Sequence, residues 1–233
     1  MAIRVKGEAH ILIDASYFSG GLCLVLYYDH DIRYVQLYRH TDQEKYKEIK
    51  EDLQNLKALG VCVASVTCDG HKAILKAVRK IYPGAVIQRC LVHLKRQSRT
   101  YLSSKPKLLQ AIALLSITRQ ITHIKTHEER TAWLYQFYLW HEENKDFINE
   151  QTRNADTGRF WYTHKNLHAA CSLIIIALPD MFHYLDNPAI PNTTNRLENY
   201  FAHLKDKLTL HRGLRFETKK NFIKWYLHFK NNP

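Results

Sequence analysis

The pattern of the sequence changes near residue 90, and this change limits the possible folds more than any other feature. Before it, short β-branched runs alternate with two helical patterns. Strands are predicted at residues 10–16, 22–28, 32–38, 61–68 and 85–88. Helices are predicted from Tyr46 to Gly60, with Thr41 and Glu44 as a capping box, and over residues 70–82. The predicted order βββαβαβ indicates an α/β fold with a mixed five-stranded sheet.

After Cys90, helical patterns dominate. Helices are predicted over residues 91–102, 107–124, 128–149, 160–178, 195–208 and 217–229, with a proline-marked loop before the last two. We therefore expect three segments: 1–93 as the first part of an α/β core, 94–190 as an all-α insertion, and 191–233 as the completion of the core. Trp133, Phe137 and Trp140 share one helical face and are predicted to form the core of the insertion.

The charge of the chain favours a polyanionic partner. Lys and Arg number 34 against 22 Asp and Glu, a formal charge of +12, and the sequence pI is about 9.4. Six cations and no acid lie between Gln88 and Leu108, and seven cations against two acids between His203 and Lys224. Such blocks suit a phosphate backbone. The candidate phosphate contacts are Arg89, His93, Lys95, Arg96, Arg99, Lys205, Arg212 and Arg215.

Several classes of protein are excluded or disfavoured. A hydrophobic content of 45% argues against a disordered chain. We expect no membrane partner, because no apolar run reaches the roughly 18 residues of a transmembrane helix. The first ten residues lack the apolar region of a signal peptide, and the five cysteines are odd in number without a C-x-x-C pair. These features predict a reduced, cytoplasmic protein, associated with the chromosome if the source is bacterial.

Three carboxylates occupy positions where chemistry is expected. Asp14 lies in the first apolar strand, Asp69 ends the fourth strand, and Glu198 lies in the first turn of the penultimate helix. In a βββαβαβ sheet of the ribonuclease H type, strands one and four are neighbours and a later helix packs across their ends. Three carboxylates brought together there could hold two hard divalent cations, a site for phosphoryl transfer.

Each carboxylate alone also has an ordinary interpretation. Asp69 before Gly70 is typical of a turn or a helix N-cap. Asp14 could be satisfied by backbone amides, and Glu198 could be a solvated residue that favours the helix dipole. Only their joint placement, on matching elements in this order, favours the metal site.

Four local patterns resemble those of one family. They are LIDASYF (12–18) with Asp14, VTCDGHKAI (66–74) with Asp69, QRCLVHLKR (88–96) with the C-x-x-H pair Cys90 and His93, and TTNRLENYFAHLKDKL (193–208) with Glu198. In these patterns the chain resembles the DDE transposases of the mutator-like group and related bacterial insertion-sequence transposases.

The resemblance implies a ribonuclease H-like catalytic core with an all-α insertion before the glutamate. It implies DNA cleavage and strand transfer that depend on Mg²⁺, with Mn²⁺ as a substitute. Two such ions would be held by Asp14, Asp69 and Glu198. The partners would be DNA, both element ends and target, and a dimer or higher assembly of the chain. Such transposases usually carry an N-terminal DNA-binding region, whereas 13 residues precede Asp14. We therefore expect the chain to be a catalytic fragment, a truncated copy of a transposase, or a protein whose end-recognition part is encoded elsewhere.

Two other functions stay open: a ribonuclease H-like nuclease that cuts without joining, and a non-catalytic DNA-binding protein derived from a transposase.

Cys90 and His93 have metal-ligand spacing, but zinc would need two more ligands, so a structural role is favoured. Trp161 and Tyr162 are candidates for stacking on an unpaired base, although a core position is the more common role for such residues.

Overall fold

The structure is a computed structural model, and it describes residues 7–211 and 213–231. The chain divides into two compact units. The first combines Met1–Cys90 with Asn187–Pro233, and the second is Leu91–Asp186. Arg212, one of the predicted phosphate contacts, lies outside the described residues.

The first unit contains a mixed five-stranded sheet. Its strands are β1 (Glu8–Phe18), β2 (Leu22–Asp29), β3 (Tyr34–Thr41), β4 (Cys62–Cys68) and β5 (Val86–Arg89). They are arranged in the order β3-β2-β1-β4-β5. β1, β2 and β3 pair antiparallel, whereas β1, β4 and β5 pair parallel. The parallel pairings follow from the helices that connect these strands, because a parallel neighbour needs a crossover connection.

Helices cover both faces of this sheet. They are α1 (Tyr46–Ala58), α2 (Lys72–Ile81), α8 (Asn195–Leu210) and α9 (Phe216–Asn231). The odd-numbered residues of β1, such as Ile11 and Ile13, pack with α1 and α2, whereas Leu12 packs with α8 and α9. Every residue of β2 is buried, as expected for a strand enclosed on both faces. Along residues 8–89 the order of elements is the predicted one.

A charged pair is built into the packing of α1 on the sheet. The Asp52 carboxylate on α1 is buried, and it accepts bonds from Nε and Nη2 of Arg39 at 2.8 and 2.6 Å. The Tyr27 hydroxyl donates to the same carboxylate at 2.9 Å. A carboxylate buried at this depth is tolerated because several donors replace its water.

The second unit is mainly helical. Its elements are α3 (Leu91–Leu102), α4 (Leu109–Gln120), α5 (His127–Asn149), β6 (Gln151–Arg153), β7 (Phe160–Tyr162), α6 (Lys165–Ala177) and α7 (His183–Asp186). Trp133, Phe137 and Trp140 are buried and stack in series along α5, as predicted for the core of this unit. One segment, Lys165–Asp186, is long and apolar enough to span a membrane by composition. Within it, however, Leu167 and Ile174 contribute to the buried core.

The structure corrects several local predictions. This region was expected to be all-α, but β6 and β7 pair antiparallel and form a short hairpin. The helix predicted over 160–178 begins only at Lys165. Trp161 lies on that hairpin with 48% of its surface exposed, so it is not a core residue. The capping box at Thr41 and Glu44 is wrong, because β3 extends to Thr41 and the hydroxyl donates to Glu48 instead, at 2.6 Å.

Candidate active site

The first predicted carboxylate, Asp14, is buried within β1. Only 6% of the residue is exposed, and its Oδ1 accepts a hydrogen bond from the Ala15 amide at 2.9 Å. Side chains alternate between the two faces of a strand, so Asp14 lies on the same face as Leu12. That face is the one covered by α8 and α9. A carboxylate buried there needs donors or a cation to balance its charge.

The second carboxylate, Asp69, lies beside the first at the end of a neighbouring strand. The last residue pair between the parallel strands β1 and β4 is Ile13 with Cys68. Asp14 is the next residue of β1, and Asp69 is the first residue after β4. Neighbouring strands of a sheet lie about 4.8 Å apart. The Asp69 Oδ1 accepts from the His71 amide at 2.8 Å, which fixes the turn into α2. The register therefore sets the backbone of Asp69 near that of Asp14, and a shared metal site for their carboxylates stays a prediction.

The third carboxylate, Glu198, is half-buried in the first turn of α8. The apolar stripe of this helix, Leu197, Phe201 and Leu204, is buried in the same cluster as Leu12 of β1. Glu198 is thus carried by the helix that packs on the face to which Asp14 belongs.

The residues fit a hard divalent cation by their chemistry, since all three supply carboxylate oxygens. Within residues 7–211 and 213–231, however, no group of three or more His, Cys, Asp or Glu side chains is arranged to hold one ion. The structure therefore gives two adjacent aspartates and a glutamate on the covering helix, without a closed set of three ligands.

Arg89, predicted to contact phosphate, has a different position. It is 3% exposed, and its Nη2 donates to the Asp69 carbonyl at 2.9 Å. Gly70 has φ +89°, and a Cβ built on it would overlap the Arg89 guanidinium. In the structure, Arg89 is not at the surface, and its hydrogen bond holds the backbone that follows β4 at Asp69. Sequence reasoning missed this role of Gly70, for which the Asp-Gly pair indicated only a turn.

Cys90 of the C-x-x-H pair ties the end of β5 to the start of α8. It is fully buried, and its Sγ accepts from the amide and the hydroxyl of Thr194 at 3.3 and 3.4 Å. Thr194 is the N-cap of α8, and its carbonyl accepts from the amide of Glu198 at 3.1 Å. These contacts give Cys90 a structural role at the helix that carries the glutamate. His93 lies on α3 of the second unit and is half-buried.

The other predicted phosphate contacts are mainly at the surface. On α3, Arg96 and Arg99 are exposed, while Lys95 is half-buried and donates to the Thr122 hydroxyl at 3.1 Å. In the first unit Arg215 is exposed, and Lys205 lies 5.4 Å from the centre of the Phe18 ring.

Lys205 also lines a cavity of about 650 Å³ beside the end of β1. Lys219 on its wall donates to the Ser19 carbonyl and hydroxyl at 2.8 and 2.9 Å. No Asp or Glu is among the described residues that line this cavity. Its charge therefore suits an anion.

A comparison with known families identifies the class. The model of the mutator family of transposases matches residues 32–164, more than half of the chain. The chain belongs to the mutator family of transposases, which confirms the resemblance found in the sequence. The match includes Asp69, Cys90 and His93, whereas Asp14 and Glu198 lie outside it. A search of curated proteins found no match.

Proposed function

We propose that this transposase cleaves DNA and joins the freed end to a target through Asp14, Asp69 and Glu198. The observation that supports the proposal is the parallel register of β1 and β4, in which Asp14 follows Ile13 within β1 and Asp69 follows Cys68 directly after β4. In open α/β sheets, ligands bind beyond the carboxyl ends of the strands. The five-stranded mixed sheet is compatible with a ribonuclease H-like fold, which we propose for the first unit.

The three carboxylates would hold Mg²⁺. When bound, Mg²⁺ supplies Lewis acidity toward phosphate oxygens and orients the reacting groups. The protein contributes position. Arg89 and Gly70 fix the strand end at Asp69, and the bonds of Thr194 to Cys90 fix the start of the helix that presents Glu198.

Two displacements at phosphorus make up the proposed reaction. In the first, water forms a bond to phosphorus and loses a proton to solvent, while the 3′-oxygen leaves and takes up a proton to become a hydroxyl. In the second, that 3′-hydroxyl loses its proton to solvent and forms a bond to phosphorus in the target, while the 3′-oxygen of the target strand leaves and takes up a proton. Neither needs a covalent protein intermediate, since phosphoryl transfer depends mainly on positioning and electrostatics.

The exposed cations are proposed to hold the DNA backbone. Arg96 and Arg99 on α3, and Lys205 and Arg215 in the first unit, are exposed, and each would contact phosphates without reading sequence. We also propose that a dimer forms on DNA, since two element ends must be brought together before they join one target.

A second candidate function is DNA binding without catalysis. It is favoured by one observation: the carboxylates among the described residues do not form a three-ligand group. This candidate predicts binding that weakens with salt and is indifferent to divalent metal.

The test is metal-dependent nicking and joining of supercoiled plasmid by the purified chain. We expect activity in Mg²⁺ or Mn²⁺ that falls at least a hundredfold in Asp69→Asn, on the scale of a lost catalytic electrostatic group. Asp156→Asn, in an exposed turn of the second unit, is the matched control and should keep full activity. Sequencing of the products separates joining from simple cutting. Equal activity in Asp69→Asn and the wild type would refute the proposal.

A further inference from the structure

An exposed aromatic groove lies between the last two helices. We call it the α9 groove. It has a volume of about 490 Å³ and is lined by Lys207, Phe222, Trp225, Tyr226, Phe229 and Lys230. It belongs wholly to the first unit.

The aromatic rings of the groove are open to solvent. Trp225 is 56% exposed and Phe229 is 64% exposed. Their ring centroids lie 5.9 Å apart with an angle of 27° between the planes, so they form a short stacked platform. Aromatic surface of this size at neighbouring positions of one helix is unusual unless a partner covers it.

The charge around the platform indicates what that partner is. Lys207 and Lys230 are exposed on the wall, and the described lining contains no Asp or Glu. Lys224, also exposed, adds a third cation one residue before Trp225. Aromatic faces and neighbouring cations are the two components that bind single-stranded nucleic acid, because the bases stack on the rings and the phosphates contact the cations.

A second copy of the chain fits this surface less well. A twofold contact centred on the groove would set Lys207 and Lys230 of one copy against the same surface of the other. With a formal charge of +12 and no acid in the lining to pair with them, those lysines would repel. Paired duplex DNA also fits poorly, because its bases are already stacked on each other.

We propose that the α9 groove binds unpaired DNA, with bases stacked on Trp225 and Phe229 and the backbone held by Lys207 and Lys230. The proposal rests on the proposed function, since a DNA strand opened near a cleavage point supplies such bases. It extends that function by assigning a binding surface for single strands to the C-terminal helix.

The test measures binding of a fluorescently labelled oligothymidine by anisotropy, with the full chain and no divalent metal. Trp225→Ala should weaken binding roughly fivefold to hundredfold, the range for loss of one base–aromatic stack. Trp225→Phe should recover most of the affinity. In Lys230→Gln the slope of log K against log salt should shrink by about 0.7, the contribution of one phosphate contact on a single strand.

Two controls make the test specific. Tyr135→Ala, on α5 and 64% exposed, removes an aromatic ring outside the groove and should leave binding unchanged. Affinity for a duplex of equal length should change less than twofold in Trp225→Ala. Unchanged oligothymidine binding in Trp225→Ala would overturn the proposal. So would a dimer in the wild type that becomes a monomer in Trp225→Ala by light scattering, because it would assign the groove to self-association.

The outcome is independent of the plasmid assay. A loss of cleavage in Asp69→Asn with normal oligothymidine binding in Trp225→Ala would refute only the groove. Full cleavage in Asp69→Asn with groove-dependent binding would refute only the proposed catalysis.

Discussion

Gly70→Ala tests most sharply how the strand end at Asp69 is held. Gly70 has φ +89°, and a Cβ added there would overlap the guanidinium of Arg89. That guanidinium is buried and donates to the Asp69 carbonyl. The substitution should therefore strain the backbone and displace Arg89 together.

The two effects can be estimated separately. A residue with a Cβ in the left-handed region costs about 1–2 kcal/mol. Loss of the Arg89 bond to Asp69 inside the protein costs a further 1–3 kcal/mol or so, since it leaves buried polar groups unpaired. The expected loss is about 2–5 kcal/mol, a large part of the roughly 5–15 kcal/mol that stabilises a typical domain.

Two other glycines supply matched controls in urea denaturation. Gly60 has φ +84° with nothing within 4 Å of a built Cβ, so Gly60→Ala measures the backbone cost alone. Gly84 has neither constraint, and Gly84→Ala should be neutral or slightly stabilising. In an Arg89→Ala background, Gly70→Ala should cost no more than Gly60→Ala. If Gly70→Ala in the wild type cost only as much as Gly60→Ala, the bracing by Arg89 would be refuted.

Three further changes have definite expected outcomes. Cys90→Ala should lower the free energy of unfolding by about 1–3 kcal/mol, because two donors of Thr194 lose their buried acceptor. Asp52→Ala should cost about 3 kcal/mol, the lower end for breaking a buried pair, since Arg39 is partly exposed. Burial lowers the pKa of His40 below 6.5, so the unfolded chain binds more protons and stability should fall as the pH drops through 6.5.

Each of these has a control that isolates the cause. Cys62→Ala removes an exposed thiol and should leave the urea midpoint unchanged. Lys45→Ala removes a surface ion pair with Asp42 and should have no measurable effect. His40→Phe should flatten the pH dependence of stability between pH 5 and 7. An unaltered slope in that variant would assign the effect to other groups.

The strands that carry Asp14 and Asp69 could be predicted because strand order follows from the order of the apolar runs. Two apolar runs that lead into an aspartate, with a helix before the second, predict neighbouring parallel strands. β1 and β4 are such neighbours, with Asp14 inside β1 and Asp69 directly after β4. The offset of Glu198 from Leu197 and Phe201 predicts that it lies at the rim of the apolar face of its helix. Leu197 and Phe201 are buried in α8, and Glu198 is half-buried.

The parts that failed depend on contacts distant in sequence. Arg89 belongs to a basic run of sequence, which predicts a surface position. The sequence of that run does not indicate that the Arg89 guanidinium packs against Gly70, 19 positions earlier. The link between Cys90 and Thr194 spans 104 residues. The hairpin β6–β7 was missed because two three-residue strands are too short to show a period.

An anomalous-diffraction map of crystals of the chain soaked in Mn²⁺ would test the proposed metal site directly. We expect a peak coordinated by the carboxylates of Asp14 and Asp69, with Glu198 completing the ligands. The same peak should vanish in crystals of Asp69→Asn. Mn²⁺ bound elsewhere on the chain, with no density between Asp14 and Asp69, would contradict the assignment of these carboxylates as the metal site.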